Sequence, residues 1–441
     1  MSERLRSVGL DVGTTSTQMI ISELTVENRA GSFAVPEMEI TGRSILYKSP
    51  IYFTPLLDGD RVDGEKLRKI VDAEYEKAGI RKEEVDTGAI IITGETSRKE
   101  NARVVLEELS GYAGDFVVAT AGPDLESVLA AKGAGAVDYS GKTGKTVLHM
   151  DIGGGTANLA LIEEGRIRAT TCLNVGGRLL KIGSDGHLTY VSPVLQGIFE
   201  GQTGDYVNRE AVLQLSRKLV QVLEWAAGLR KEESWMLWLK TNGAGNLQPR
   251  RGAVISFSGG VADCIGRAQP WLAFGDMGPE LGIAIRESGL CAGEYRLGEE
   301  TIRATVIGAG CHSAQLSGST VFYQNVDFPL KNLPVVESPE ALEKLDGPGV
   351  LALPGEKAPG YWQVAKLAET IIDTFGSRPI LLALREDMAK ALGQQIALRL
   401  DSGAKVLCID RVGLKEGDYL DVGAPVGPAL PVVIKTLILS R

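Results

Sequence analysis

Cysteine is scarce in this 441-residue chain and forms no pattern: five residues, at positions 172, 264, 291, 311 and 408, with no CxxC pair. An odd, widely spaced set supplies neither a disulfide framework nor zinc-ligand spacing, and reads as small buried side chains of a reducing cytoplasm. Long apolar runs are missing as well. None approaches the ~20 residues a membrane helix needs, and MSERLRSVGLDVG enters a strand pattern too soon for a signal peptide. Blocks of Lys and Arg are absent, and the net charge is −9, so no nucleic-acid partner held by phosphate neutralisation is expected. Proline is limited to 18 residues, while 44% of the chain is hydrophobic and 23% charged, which excludes a disordered chain. One excess stands against these shortages. Glycine numbers 54, without the three-residue period of collagen, so the surplus is expected in turns and where backbone approaches a ligand or another backbone.

The length favours two or three domains. Val8 to Leu24 reads as two strands around a tight turn at Gly13-Thr14-Thr15-Ser16, and Ser44 to Phe53 as further strand. Glu65 to Gly79 has helical spacing with Gly79 as its stop, Ala89 to Thr93 is a buried strand, and Ser97 to Glu100 opens a helix running to Leu109. From Lys145 the pattern returns: strand to Asp151, glycine turn at 153–155, strand Asn158 to Ile162, strand Ile167 to Leu173. Asp11 and Asp151 occupy equivalent places, which suggests a duplicated domain. Arg209 to Gly228 reads as a long helix, Val254 to Phe257 as a buried strand before Ser258-Gly259-Gly260, and Arg303 to Ser317 as a helix rich in small residues. After Val326 proline becomes frequent, and strands near 379–384, 405–409 and 431–439 surround a helix near 386–399, an additional α/β subdomain. The expected division is 1–144, 145–325 and 326–441.

Chemistry concentrates at Asp11-Val12-Gly13-Thr14-Thr15 and Asp151-Ile152-Gly153-Gly154-Gly155-Thr156. A Gly-rich turn offers backbone N–H groups that wrap phosphate oxygens, and Thr hydroxyls add donors. The Asp at each strand end is suited to orient a Mg²⁺-bound water, since Mg²⁺ keeps much of its hydration shell. Either motif alone is an ordinary hairpin; a pair of buried aspartates demands metal or donors. Other candidates are weaker. Gly141-Lys142-Thr143 lacks the glycine and following helix of a P-loop, and the Gly133 and Gly308 clusters read as packing glycines. Asp185-Gly186-His187 reads as a polar turn, while His149 and His312 have no metal-ligand partners at useful spacing. Trp225, Trp235 and Trp238 read as core in preference to anchors for a partner.

Taken together, LDVGTTST, MDIGGGTANLAL and ISFSGGVA resemble the two phosphate motifs and the adenosine motif of the actin, Hsp70 and sugar-kinase superfamily, over about residues 7–320. The resemblance implies an actin-like α/β fold of two duplicated RNase H-like domains, with connecting helices near 121–136 and 306–317 crossing at a hinge. It implies ATP and Mg²⁺ as cofactors. Asp11 and Asp151 would act on metal-bound water, Gly13, Thr14, Thr15, Gly153, Gly154, Gly155 and Thr156 would hold phosphates, and Gly259 and Gly260 would approach the adenosine. Glu95, in TGETSRKEN after a buried strand, is a general base, a group that positions the attacking water, or a helix-leading surface residue. Over the whole chain, TGETSRKENA, SPVLQGIFEG, RATVIGAGCHSAQLSGST and PALPVVIKTLILSR resemble the reactivating factors of ethanolamine ammonia-lyase. That family's role implies a cytoplasmic, ATP-dependent chaperone with slow ATPase activity. It would exchange damaged cobalamin in the lyase for intact coenzyme, with a bacterial microcompartment as an alternative setting. A sugar or small-acid kinase and an actin-like filament protein are the competing readings within the fold.

Overall fold

The computed structural model describes residues 2–13, 16–28, 38–57, 61–93, 117–120, 123–241, 244–249, 252–312, 314–316, 321–416, 418–425 and 430–436. The first sheet grows from β1 (Ser2–Val12), which pairs antiparallel with β2 (Ser16–Asn28) so that Asp11 stands opposite Gln18. β3 (Met38–Lys48) and the short β4 (Tyr52–Phe53) both pair with β2. The helix α1 (Gly64–Ala78) follows. Its start is capped by the Asp63 carboxylate, which accepts from the Lys66 N–H, and it stops at Gly79, whose φ of 65° is the left-handed value glycine tolerates. Leu67, Val71 and Tyr75, spaced by four, bury its inner face against Leu10 and Ile90 of the sheet. β5 (Thr87–Ile92) and β6 (Val117–Thr120) then add parallel to β1, giving the order β3-β2-β1-β5-β6.

Two helices, α2 (Pro123–Gly133) and α3 (Ala136–Thr143), lead to the second sheet. There β7 (Val147–Ile152), β8 (Ala157–Glu163) and β9 (Arg166–Leu173) form an antiparallel meander. A small hairpin of β10 (Leu180–Ile182) and β11 (Leu188–Val191) and the helix α4 (Arg209–Ala226) intervene. β12 (Val254–Ser258) returns parallel to β7, and after α5 (Gly260–Gly266) and α6 (Gly278–Arg286), β13 (Tyr295–Leu297) pairs parallel to β12. The order β9-β8-β7-β12-β13 repeats that of the first sheet, strand for strand. Every residue of β5, β7 and β12 is buried; β5 ends in a continuous apolar run, whereas β7 and β12 alternate apolar residues with the buried polar His149, Asp151, Ser256 and Ser258. This is the duplicated arrangement expected of the actin-like fold.

The connecting helices are exchanged between the sheets. α2 leaves the first sheet and lies along β7, β8 and β9, whereas α7 (Ala304–His312) leaves the second and lies along β1, β2 and β5. Where α2 and α7 cross, backbone meets backbone: a Cβ on Gly133 would stand 1.8 Å from the Ala304 carbonyl oxygen, and one on Gly308 2.0 Å from that of Leu129. These are packing glycines, as expected. Gly135 is different: it takes φ 74° between α2 and α3 and makes a turn, not a contact. The stretch Arg303 to Ser317 is likewise not one helix. It ends at His312, and β14 (Ala314–Leu316) pairs antiparallel with the last strand of the chain, a sheet partner too distant in sequence for local spacing to reveal.

The remaining chain builds an eight-stranded sheet from β14, β15 (Phe322–Gln324), β16 (Leu330–Val336), β17 (Val350–Leu353), β18 (Ile380–Leu384), β19 (Val406–Ile409), β20 (Asp418–Val422) and β21 (Pro431–Thr436). β16 to β19 run parallel, joined through α8 (Pro339–Glu343), α9 (Tyr361–Phe375) and α10 (Ala389–Ala397). The sheet thus draws on chain from residue 314 onward. Among the described residues no helix is long and apolar enough to cross a membrane, and no disulfide joins the described cysteines.

The crossing predicts a stability effect. Gly308→Ala must push α2 from α7 and is expected to cost about 1–3 kcal/mol in denaturant unfolding. Gly347→Ala, where an added Cβ meets nothing within 4 Å, should stay within about 0.5 kcal/mol of the parent. Equal effects at the two positions would contradict this packing.

Candidate functional site: two facing aspartate hairpins

Both hairpins are built alike. Asp11 and Asp151 sit one residue before the ends of β1 and β7, and both are buried. Beyond each, the chain turns tightly, with the Gly13 N–H donating to the Ser16 carbonyl and the Gly153 N–H to the Thr156 carbonyl, both at 2.9 Å. Each aspartate accepts a hydroxyl from the parallel-strand side of its sheet: Thr93 Oγ1 donates to Asp11 Oδ1 at 2.9 Å, and Ser258 Oγ donates to Asp151 Oδ1. Each also faces an amide across its antiparallel pair, Gln18 opposite Asp11 and Asn158 opposite Asp151. Thr305, near the start of α7, adds a further hydrogen bond to Asp151. The chain that crosses from one sheet to the other therefore supports the aspartate of the sheet it left.

A third carboxylate joins them. Glu126, in the first turn of α2, is hydrogen-bonded by Asn158 and repelled by both Asp151 and Asp11. Burial, and then this repulsion, push its carboxyl up to about 8. Burial likewise raises Asp11 to about 7, with Thr93 and Gln18 opposing and Asp151 adding to the rise, and raises Asp151 to about 6 against the pull of Ser258 and Thr305. Ordinary carboxyls titrate near 4. Carboxyls displaced this far by burial and by one another mark a candidate functional site.

Among the described residues no three Asp, Glu, His or Cys side chains lie close enough to ligate one ion directly. All the groups are hard oxygens, however, and the buried carbonyl oxygens Gln18 Oε1 and Asn158 Oδ1, beside the two aspartates, have no hydrogen-bond partner. Carboxylates and spare acceptors around one region suit a hydrated Mg²⁺ held through its waters.

The structure places most of the sequence-expected residues together. Gly153, Gly154 and Gly155 form the second turn, Thr156 closes it, and Gly259 abuts it: its φ is 83° and a Cβ there would stand 2.3 Å from the Ile152 carbonyl oxygen. Gly260 begins α5 in more open space. Thr14, Thr15 and Glu95 lie outside the described residues, as does the helix expected over Ser97 to Leu109. Asp185-Gly186-His187 is a turn between β10 and β11, with Asp185 Oδ1 accepting from the His187 N–H at 3.1 Å. His149 is wholly buried between Ser256 and Ser258, and burial lowers its imidazole to about 3.

Sequence reasoning missed Glu126, Gln18, Asn158 and the loop that backs the second turn. In that loop Gly177 and Arg178 donate N–H groups to the carbonyls of Gly153 and Gly154, and Arg178 Nε is anchored by Asp276 at 3.1 Å. Gln18 and Asn158 had a signal, an amide seven residues after each aspartate inside an apolar strand. Glu126 had none, because an acidic residue in the first turn of a helix is ordinary.

The raised carboxyls predict the pH dependence of the ligand-free protein. Each holds its proton more tightly folded than unfolded, so its stabilising contribution is complete below about pH 4 and is lost as pH rises through about 6 to 8. Asp11→Asn removes one such group. In thermal or denaturant melts without metal, the variant should equal or exceed the parent at pH 8 by about 1–3 kcal/mol and lose less stability between pH 5.5 and 8. A slope as steep as the parent's would contradict the buried-charge account.

The model of the family described as ethanolamine utilisation protein EutA matches residues 3–348 and 341–440. The chain is 38% identical, over 99% of its own length and 99% of theirs, to the ethanolamine ammonia-lyase reactivases EutA of Escherichia coli (strain K12) and Salmonella typhimurium. Among solved structures, the Aquifex aeolicus Ppx/GppA phosphatase (type II variant) is similar at a TM-score of 0.41 and 14% identity, over 70% of this chain and 99% of that one. With matches running from residue 3 to residue 440 and relatives aligned end to end, the chain belongs to the EutA family.

Proposed function

We propose that this protein is an ATP-dependent reactivating factor for ethanolamine ammonia-lyase, promoting exchange of damaged cobalamin for intact coenzyme. The observation that carries the reading is the end-to-end 38% identity to relatives named as reactivases of that lyase. The paired hairpins support the ATP-dependent part. With the Gly13 and Gly153 N–H groups closing the turns onto Ser16 and Thr156, the N–H groups that follow them, those of Gly154 and Gly155 in the second turn, would receive the phosphates, and Thr14, Thr15 and Thr156 would add hydroxyl donors. Gly259 and Gly260 would admit the adenosine next to the second turn. Asp11 and Asp151 would hold Mg²⁺ through its waters, and the ion would supply charge neutralisation on the phosphates and relief of the charge crowding among the three carboxylates.

Glu126 is suited to accept a proton from, or orient, the attacking water. It lies on the helix that spans the two sheets, near both aspartates, and its raised carboxyl titrates close to neutrality. Its place on a connecting helix also couples hydrolysis to the crossing of α2 and α7, so that loss of the γ-phosphate would bias the relative position of the two sheets. A client that binds the two states unequally would then be driven between them. The third sheet, absent from the duplicated core, offers surface for client contacts.

Purified protein incubated with cobalamin-inactivated lyase, free coenzyme, Mg²⁺ and ATP should restore lyase activity, and omission of ATP should abolish the recovery. Asp151→Asn should lose both ATP turnover and reactivation. Glu126→Gln should keep ATP binding while its turnover falls about 10²–10⁴-fold. A phosphorylated metabolite formed in step with ADP would instead establish a kinase, and ATP-dependent sedimentation a filament protein.

A further inference from the structure

We propose that His149 is a positioning residue of the second hairpin: a neutral imidazole, protonated at Nε2, that fixes the Ser258 hydroxyl so that it donates to Asp151. The parallel register of β7 and β12 sets His149 beside Ser256 and Asp151 beside Ser258. Val147, His149 and Asp151 alternate onto one face of β7, and Val147 there packs with Ala131 of α2. Four polar side chains are thus lined up along two adjacent strands, all of them buried.

Their hydrogens can be assigned from one end. Ser258 has a single hydroxyl hydrogen, and it goes to Asp151 Oδ1 when that carboxylate is ionised. Ser258 Oγ can then only accept, so His149 Nε2, 2.9 Å away, must carry a hydrogen. Full burial favours the neutral ring, which leaves Nδ1 bare to accept from Ser256 Oγ at 3.1 Å. The chain runs in one direction, from Ser256 through His149 and Ser258 to Asp151, and satisfies both ring nitrogens. The other protonation at Nδ1 would leave two acceptors facing each other at 2.9 Å, too close for a water between them.

The first hairpin has no such device. Gly9 occupies the position two residues before Asp11, and a Cβ there would lie 2.4 Å from the Val306 carbonyl oxygen of α7. The crossing helix takes the space that the imidazole takes in the second unit. Asp11 is held by Thr93 and Gln18, whereas Asp151 is clamped by a hydroxyl that is itself clamped. The two aspartates are therefore unequal, with Asp151 the more rigid anchor. This inference rests on the reading above that Asp151 orients a metal-bound water; the hydrogen-bond chain itself does not.

The test begins with the metal-free wild-type protein carrying ¹⁵N-labelled histidine. The chain has three histidines, and the one whose signals vanish in His149→Gln is His149. At pH 8 it should show a hydrogen on Nε2, protected from solvent exchange, and a bare Nδ1. An Nδ1–H ring, an imidazolium, or averaging between tautomers would overturn the chain. Titration of nucleotide binding with Mg²⁺ then tests the positioning role. His149→Leu should raise the Mg²⁺ required by about 10–100-fold, and His149→Gln, which keeps an amide donor near Ser258, by clearly less. Folded variants that lose stability with an unchanged Mg²⁺ requirement would overturn the positioning role. If the wild-type protein binds no Mg²⁺–nucleotide, the proposed function and the metal part of this inference fail together, while the tautomer measurement still decides the hydrogen-bond chain.

Discussion

The crowding of three carboxyl groups into a poorly solvated region, where desolvation more than mutual repulsion disfavours their charge, governs this structure. Asp11 and Asp151 end strands in different sheets, Glu126 sits on a helix between those sheets, and burial leaves none of them comfortable as an anion. Such an arrangement is unstable unless something pays out positive charge, and the surroundings are organised around that need. Hydroxyls from Thr93, Ser258 and Thr305 and amides from Gln18 and Asn158 supply partial compensation. The remaining imbalance is what a hydrated divalent cation and its nucleotide would remove.

The exchanged helices turn this local electrostatics into a property of the whole core. α2 carries Glu126 from the first sheet onto the second, and α7 carries Thr305 back toward the first while bonding Asp151. Because Gly133 and Gly308 let the two helices touch backbone to backbone, little slack exists at the crossing. A change in charge at the carboxylates therefore acts on a crossing with little room to adjust locally.

The duplication is real in strand order and in the Asp, hydroxyl and amide set, yet the two halves are not interchangeable. Position two before the aspartate is Gly9 in one half and His149 in the other, and the difference follows from what crosses there. A helix backbone against Gly9 forbids a side chain; two serines on β12 welcome an imidazole against His149. Symmetric folds acquire unequal sites in this way, through which neighbour reaches each strand end.

Much of the site was legible because its chemistry is local. A strand, an aspartate and a glycine turn are contiguous, so Asp11, Gly13, Asp151 and Gly153 to Thr156 announce themselves, and the glycine surplus finds its use at the turns, at Gly259 and at the crossing helices. Glu126 did not announce itself, since it becomes special only when α2 lies along a sheet formed by later residues. The helix expected beyond His312 failed for the same reason, its next residues being claimed by a strand over a hundred residues away. By itself the sequence determined the hairpins and the duplicated order, because short-range spacing and backbone sterics encode them, and it carried the family in the resemblance of its motifs. Only the tertiary structure decided that the buried Asp11 and Asp151 and the half-buried Glu126 meet in one region and that a histidine stands behind one of them, because burial and charge coupling depend on which distant strands become neighbours.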